Sequence, residues 1–407
     1  MSVEMPPRSL EHPLPAGMRD LLPEEAAARR TLARDVLDCI ALHGYALVTP
    51  PVFEFAEVLE RGLGTLTSAD VLRFVEPESG EVAALRPDMT PQVARMIATR
   101  LRERPLPFRL GYEGTVLRRR SGRARKHRQI PQVGVELAGV GGPEGDLELL
   151  ALAVEALRAT RLERFQIDVG DAGIVRALLA PLPPGQQSRL SEALSRKDPA
   201  EVADMCARFN APHAAALSAL PRCNGGRDAL ADGVSRLGRT PAAAAAKRLL
   251  ALFDAAGARG LGAHLSADLG EVRGFAYYTG TIFHAYAAGT GDAIGSGGRY
   301  DELLARFGWD LPASGFALDL DRVGEALRAA GIESRLRLRV VVVGGPELEA
   351  LLDLRSRGIE AVAVPERVAA LSWARAWGFT HLLDASEWVE TKSGARIASP
   401  LAERGDR

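Results

Sequence analysis

The sequence predicts an α+β protein, and three observations carry that prediction. Segments of β type alternate with amphipathic helical ones over both ends of the chain. An Ala/Leu-rich helical stretch at 171–260 interrupts them, and an apolar run, Val340–Val343, opens a small α/β unit at 338–407. The length of 407 residues allows two to four domains at ~100–200 residues each. The expected organisation is a core at 1–170, a helical insertion at 171–260, the rest of the core at 261–332, and the C-terminal unit.

The elements follow from local signals. Residues 1–23 read as an irregular arm ending in a turn at Pro15-Ala16-Gly17. Glu24 to His43 reads as a helix with Leu32, Val36, Leu37 and Ile40 on one face and Gly44 as its stop. Short strands are expected at Tyr45–Val48 and Val82–Leu85, and then a helix with Thr90 as N-cap and Pro91 in its first turn. Phe108 to Gly139 reads as two strands joined by a polar basic loop, with a helix after Pro143. Beyond the insertion, strands are expected at Ala263–Asp268, Phe275–Tyr286 and Pro312–Leu318, a glycine-rich turn at Gly295–Gly298, and a helix at Asp319–Ala330. In the C-terminal unit, helix 346–357, strand Glu360–Val364 and helix 366–377 follow the first strand.

Composition narrows the function. Lys and Arg number 51 against 52 Asp and Glu, a balance that argues against a dedicated polyanion binder. No apolar run approaches the ~20 residues a spanning helix needs, so no membrane association is expected. The opening MSVEMPPRSLEHPLPAG has early acids and prolines without an apolar core, so a signal peptide is not expected. Cys39, Cys206 and Cys223 are odd in number and widely spaced, which points to a reducing cytoplasm. The seven histidines are scattered, so no metal site is expected. There is also no P-loop, dinucleotide fingerprint or nucleophile elbow.

Five stretches are candidates for chemistry. Arg118 to Arg128 holds seven Lys or Arg among eleven residues and no acid. Its guanidinium groups suit a phosphate, and a solvated loop explains the same composition. It has no aromatic residue on which bases would stack. Asp88 and Thr90 stand at a strand-to-helix junction, where the pair serves either a ligand ammonium or the helix cap. Gln132 and Glu136 share one face of a strand with Gly134 between them, a polar pair that calls for partners or a ligand. Arg273-Gly274-Phe275-Ala276-Tyr277-Tyr278-Thr279-Gly280 and Gly297-Gly298-Arg299-Tyr300-Asp301 each join arginine, glycine and tyrosine.

Taken in order, these segments resemble the catalytic domain of class II histidyl-tRNA synthetase, from Pro15-Ala16-Gly17-Met18-Arg19-Asp20 to Gly315-Phe316-Ala317-Leu318-Asp319-Leu320-Asp321-Arg322. The resemblance implies an antiparallel sheet flanked by helices, with self-association as a dimer through that core. It also implies a histidine pocket. Asp88, Thr90 and Gln132 would hold the ammonium, and Arg118 and Arg273 would face the carboxylate. Glu136, Tyr278 and Tyr300 would surround the imidazole, and Tyr277 is a further histidine-binding candidate. Arg123, Arg125, Lys126, Arg128 and Arg322 are the candidate anion-binding residues.

Departures from the synthetase set the expected function. Asp88-Met89 stands where the synthetase has Glu-Gly, Arg120 where it has a glutamate that positions ATP, and Ala276 where it has an aspartate. Asp319 replaces a glycine near the expected nucleotide floor, and its charge opposes a triphosphate. The C-terminal unit is short for an anticodon-binding domain. Histidine residues kept and ATP features eroded resemble a paralogue family, the regulatory subunit of ATP phosphoribosyltransferase. Leu85-Arg86-Pro87-Asp88-Met89-Thr90-Pro91 is its most specific stretch.

That resemblance implies no catalytic residue and no cofactor, and places the chain in the first step of histidine biosynthesis. The partners it implies are a short-form catalytic subunit and L-histidine as feedback signal, with tRNA not expected. The alternative is a divergent histidyl-tRNA synthetase or related ATP-dependent ligase, which Arg118, Arg273 and Arg322 keep open. A third reading, an RNA-binding module on the basic loop, predicts tRNA affinity that falls steeply with salt.

Overall fold

The computed structural model describes residues 14–63, 71–119, 127–272, 277–332, 338–344, 348–365 and 367–401. The chain divides into two compact units, one of Met1–Arg19 with Leu32–Ile332 and the other of Asp20–Thr31 with Glu333–Arg407.

Helix α1 (Pro23–Leu42) buries Ala33, Val36 and Ile40 and ends before Gly44, whose φ of +79° is left-handed. Strands β1 (Ala46–Leu47) and β2 (Phe53–Phe55), helix α2 (Ala56–Leu63), strands β3 (Arg73–Val75) and β4 (Val82–Leu85), and helix α3 (Thr90–Arg100) follow. The long hairpin of β5 (Phe108–Leu117) and β6 (Gln129–Ala138) comes next, then helix α4 (Glu144–Ala159) and strand β7 (Phe165–Asp171).

Between β7 and β9 the chain is mostly helical: α5 (Ala172–Leu179), α6 (Pro184–Ser195), α7 (Pro199–Arg208), α8 (Ala214–Ala219), the short strand β8 (Asn224–Gly225), α9 (Arg227–Leu237) and α10 (Ala243–Ala258). Local chemistry marks these helix starts. The Asp171 carboxylate accepts from the Gly173 amide at 2.7 Å, and Asp198, followed by Pro199, accepts from the amides of Ala200 and Glu201. Strands β9 (Leu265–Asp268), β10 (Thr281–Ala287), β11 (Gly295–Arg299) and β12 (Ala313–Asp319) and helix α11 (Leu320–Ala329) complete this unit.

The main sheet has nine strands in the order β1-β5-β6-β12-β11-β10-β7-β9-β8. Only β1–β5 and β7–β9 run parallel, so the expected antiparallel sheet is present with two parallel pairs in it. Its core is apolar side chains of α1, α4, α5 and α10 against β6, β7, β10 and β12, including Leu150, Leu152, Val135, Val169, Phe283 and Phe316. A second cluster, with Met89, Val93, Ile97, Tyr112 and Tyr277, lies beneath α3. The small sheet β2-β4-β3 is antiparallel throughout.

Two local readings are corrected. Gly295–Arg299 is a strand rather than a turn, because its glycines let neighbouring strands pass close. A Cβ on Gly297 would meet the Gly315 carbonyl oxygen, Phe316 and the Phe283 ring, all within 2.6 Å. Helix α3 begins at Thr90, with Met89 as its N-cap, one residue earlier than expected.

The C-terminal unit forms a sheet in the order β14-β13-β15-β16-β17. Its strands are β13 (Arg339–Val343), β14 (Glu360–Val364), β15 (His381–Asp384), β16 (Glu387–Glu390) and β17 (Arg396–Ile397), with helices α12 (Leu348–Ser356) and α13 (Arg367–Ala376). Strands β13, β14 and β15 are parallel, as the apolar run implied, and the antiparallel β16 and β17 were not read from the sequence.

Leu150 on α4 is fully buried. Leu150→Ala is expected to lower stability by about 2–5 kcal/mol. Urea unfolding checks this as a lowered midpoint at unchanged slope.

Candidate functional site

Two carboxyl groups define the site. Glu136 points from the middle of β6, which is hydrogen-bonded to β5 on one side and β12 on the other, and it is 3% exposed. Asp88 lies in the β4–α3 junction and is equally buried. Thr90 does not cap its own helix with its hydroxyl: Oγ1 donates to Glu136 Oε1 at 2.7 Å. The Tyr277 hydroxyl donates to Asp88 Oδ2 at 2.6 Å, and the amides of Met89 and Thr90 face the same carboxylate. Asp88 thus keeps a cap-like contact with the first amides of α3, while the Thr90 hydroxyl turns to Glu136.

The tyrosines form one cluster. Tyr277 meets Tyr278 edge-on at 5.0 Å and Tyr300 at 5.5 Å between ring centroids. Tyr300 is held from both sides along the chain. Arg299, 5% exposed, donates through Nε to Asp146 Oδ1 at 2.7 Å and through Nη1 to Asp301 Oδ1 at 2.9 Å. Asp146 also accepts from Thr281 Oγ1, and Asp301 from the Ala313 amide, so the brace ties β10, β11 and β12 to α4. In the Gly-Gly-Arg-Tyr-Asp segment, the arginine and aspartate position and the tyrosine faces the site.

Gln132 sits two strand steps from Glu136 on the same face, as the period of two requires. Gly134 between them makes room: a Cβ there would lie 2.5 Å from the Tyr112 hydroxyl and from the Phe316 carbonyl oxygen. Arg118 Nε donates to the Pro87 carbonyl at 2.7 Å, which holds this guanidinium beside Asp88. The expected residues Asp88, Thr90, Arg118, Gln132, Glu136, Tyr277, Tyr278 and Tyr300 thus lie on neighbouring elements around one site. Arg273, Arg123, Arg125 and Lys126 fall outside the described residues.

The electrostatics are those of two buried acids, with Arg118 beside one of them. Burial pushes the Asp88 carboxyl above its usual range, while Arg118 and the Tyr277 hydroxyl pull it back. Burial raises Glu136 well above its usual range and the charge of Asp88 adds to this, while the Thr90 and Tyr112 hydroxyls oppose it. Glu136 Oε2, Gln132 Oε1 and the Tyr300 hydroxyl have no hydrogen-bond partner among the described residues. Thr90, Ile97, Glu136, Tyr300, Leu304 and Ala313 close around a crevice with no room for a water molecule, so a ligand enters there only by moving these side chains apart. The site therefore holds unspent acceptors, suited to a ligand that brings N–H donors and positive charge.

A family model described as histidyl-tRNA synthetase matches residues 17–323. An ATP phosphoribosyltransferase regulatory subunit of Moorella thermoacetica is 41% identical over 358 residues, 86% of this chain and 91% of the relative. The chain belongs to the ATP phosphoribosyltransferase regulatory subunit family. The regulatory subunit of Anaeromyxobacter dehalogenans is 43% identical over 80% of this chain and 96% of its own. Among solved structures, an ATP phosphoribosyltransferase regulatory subunit/histidyl-tRNA synthetase from Bacillus halodurans superposes with a TM-score of 0.80. It is 26% identical and covers 93% of this chain and 98% of that one.

Within this family body the candidate anion residues divide. Arg322, 8% exposed, places Nη2 3.1 Å from Asp292 Oδ2 and Nε 3.5 Å from Asp319 Oδ2. Asp319 also caps α11 through the amides of Asp321 and Arg322. Asp319 thus pairs with the arginine beside it as well as capping the helix. Arg128 donates its backbone amide to the Gly17 carbonyl, which joins the basic hairpin to the N-terminal turn. Sequence reasoning missed Tyr112, whose hydroxyl stands beside Thr90 and Glu136. Its place two residues before Gly114 on β5, opposite Gly134, was the available signal.

The raised Glu136 carboxyl has a consequence for the ligand-free protein. The folded state keeps this proton to a higher pH than the unfolded chain does. Its contribution to stability is therefore full below the unfolded value near ~4.3 and is lost as pH rises through the folded one. Glu136→Gln is expected to raise the melting temperature at pH 7, with the gain closing toward pH ~4. Thermal unfolding across that range checks both parts.

Proposed function

We propose that the chain is the non-catalytic regulatory subunit of ATP phosphoribosyltransferase, acting in the first step of L-histidine biosynthesis. It binds L-histidine in the site around Asp88 and Glu136 and assembles with a short-form catalytic subunit, whose activity depends on it and responds to histidine through it. The observation that carries this reading is the pair of buried carboxyl groups with open acceptor atoms around them.

Histidine matches that set group by group. Its ammonium joins Tyr277 on Asp88 and reaches Gln132 Oε1, and the positive charge returns Asp88 to its ionised form. One imidazole N–H goes to Glu136 Oε2 and the other nitrogen to the Tyr300 hydroxyl, the two open atoms on the far side of the site. The carboxylate faces Arg118, with Arg273 as its second cation. The pairing of Arg322 with Asp292 and Asp319 supports a chain without ATP chemistry, because the guanidinium is already matched by two acids. Self-association is expected through the synthetase-like core.

Calorimetry of the full chain with L-histidine is expected to show saturable heat that Asp88→Asn and Glu136→Gln both abolish. No heat, with or without the catalytic subunit, overturns the sensing role. The pure protein is expected to show no histidine-dependent ATP–pyrophosphate exchange, and measurable turnover would favour the synthetase alternative. Coupling to the partner should amount to about 1–3 kcal/mol, read as the shift in histidine affinity when the catalytic subunit is added.

A further inference from the structure

Away from this site, the packing of α1 against α4 brings together three residues of metal-ligating type. Cys39 lies in the last turn of α1, and His43 is the first residue beyond it, in the turn closed by its amide on the Ile40 carbonyl. Glu155 comes from α4, and its Oε2 is 2.9 Å from His43 Nε2. One ligand atom from each of the three lies within 4.8 Å of the others. The side chains of His43 and Glu155 are 33% and 50% exposed, so an ion reaches them from solvent, while the half-buried Cys39 thiol forms the floor.

We propose that Cys39, His43 and Glu155 form a zinc-class metal site, with water as the fourth ligand. A sulfur, an imidazole nitrogen and a carboxylate oxygen suit Zn2+ and its neighbours rather than Mg2+ or Ca2+, which take oxygen sets. A tetrahedral ion with bonds of ~2.0–2.3 Å spaces its ligand atoms by a little over 3 Å, so the existing cluster needs small side-chain adjustments. On binding, Cys39 loses its thiol proton to solvent, and the thiolate and Glu155 carboxylate balance the ion's two charges. The ion would replace the His43–Glu155 contact with a clamp between α1 and α4.

The test is Co2+ and Zn2+ binding to the full chain under a thiol-sparing reductant. Co2+ is expected to load one equivalent with a thiolate charge-transfer band in the near ultraviolet, and Zn2+ to displace it. Cys39→Ser, His43→Gln and Glu155→Gln should each weaken Zn2+ binding by on the order of 100-fold or more, since loss of outer-shell partners alone costs 10–100-fold. Cys223→Ser should leave it unchanged, and Zn2+ should raise the melting temperature of the wild type only. No uptake by the folded wild type, or uptake without the charge-transfer band, overturns the proposal. Uptake unaffected by His43→Gln overturns it too, and that exposed position carries the test if Cys39→Ser fails to fold.

Discussion

Burying Glu136 on an interior strand of a nine-stranded sheet, paired on both sides, takes a carboxyl group out of water where backbone pairing leaves little freedom to rearrange. The surroundings are shaped by that burial. Gly315 lies directly across from it on β12, and a side chain there would strike both Glu136 and the Tyr300 hydroxyl. Gly134 opens the strand for Tyr112, and Thr90 is turned away from its own helix to supply a donor. The Arg299–Asp146 pair then fixes β11, so that Tyr300 is held against the acid by an ion pair that is itself buried. Removing one partner of such a pair costs about 3–5 kcal/mol, because the other is left charged and dry. The brace therefore holds the site's geometry while the acids stay open to a ligand.

How much of this was legible in the sequence depends on how far apart the partners are. The Gln132–Glu136 face followed from the two-residue period alone, since adjacent strands fix which side each residue takes. The roles of Asp88 and Thr90 did not, because their partners lie 189 and 46 residues away, and a local reading favours the cap that a Thr-Pro pair suggests. The glycines of β11 signal a turn locally and a close strand approach globally, and the second constraint prevails. Cys39 and His43 have a readable helical spacing, but Glu155 reaches them from 112 residues beyond His43, which is why scattered histidines gave no metal site. In the C-terminal unit the apolar parallel strand stood out. The four-residue strands after it carry too short a pattern to separate from loop.

The charge balance of the whole chain hides where its electrostatics are decided. At Arg322 the chain supplies its own anions, Asp292 and Asp319, so a cation that resembles a nucleotide contact is satisfied internally. At Asp88 and Glu136, Arg118 is the cation supplied among the described residues, and burial holds both acids above their ordinary range. The two regions share a frame: β6 and β12 pair over Gln132 with Asp319 at one end and over Ala138 with Ala313 at the other. One end of that strand pair is closed to a further anion, and its middle favours a cation. Under the proposed reading, a ligand ammonium beside Asp88 would draw its carboxyl back toward the usual range, so the burial that raises both acids would supply the free energy of the response.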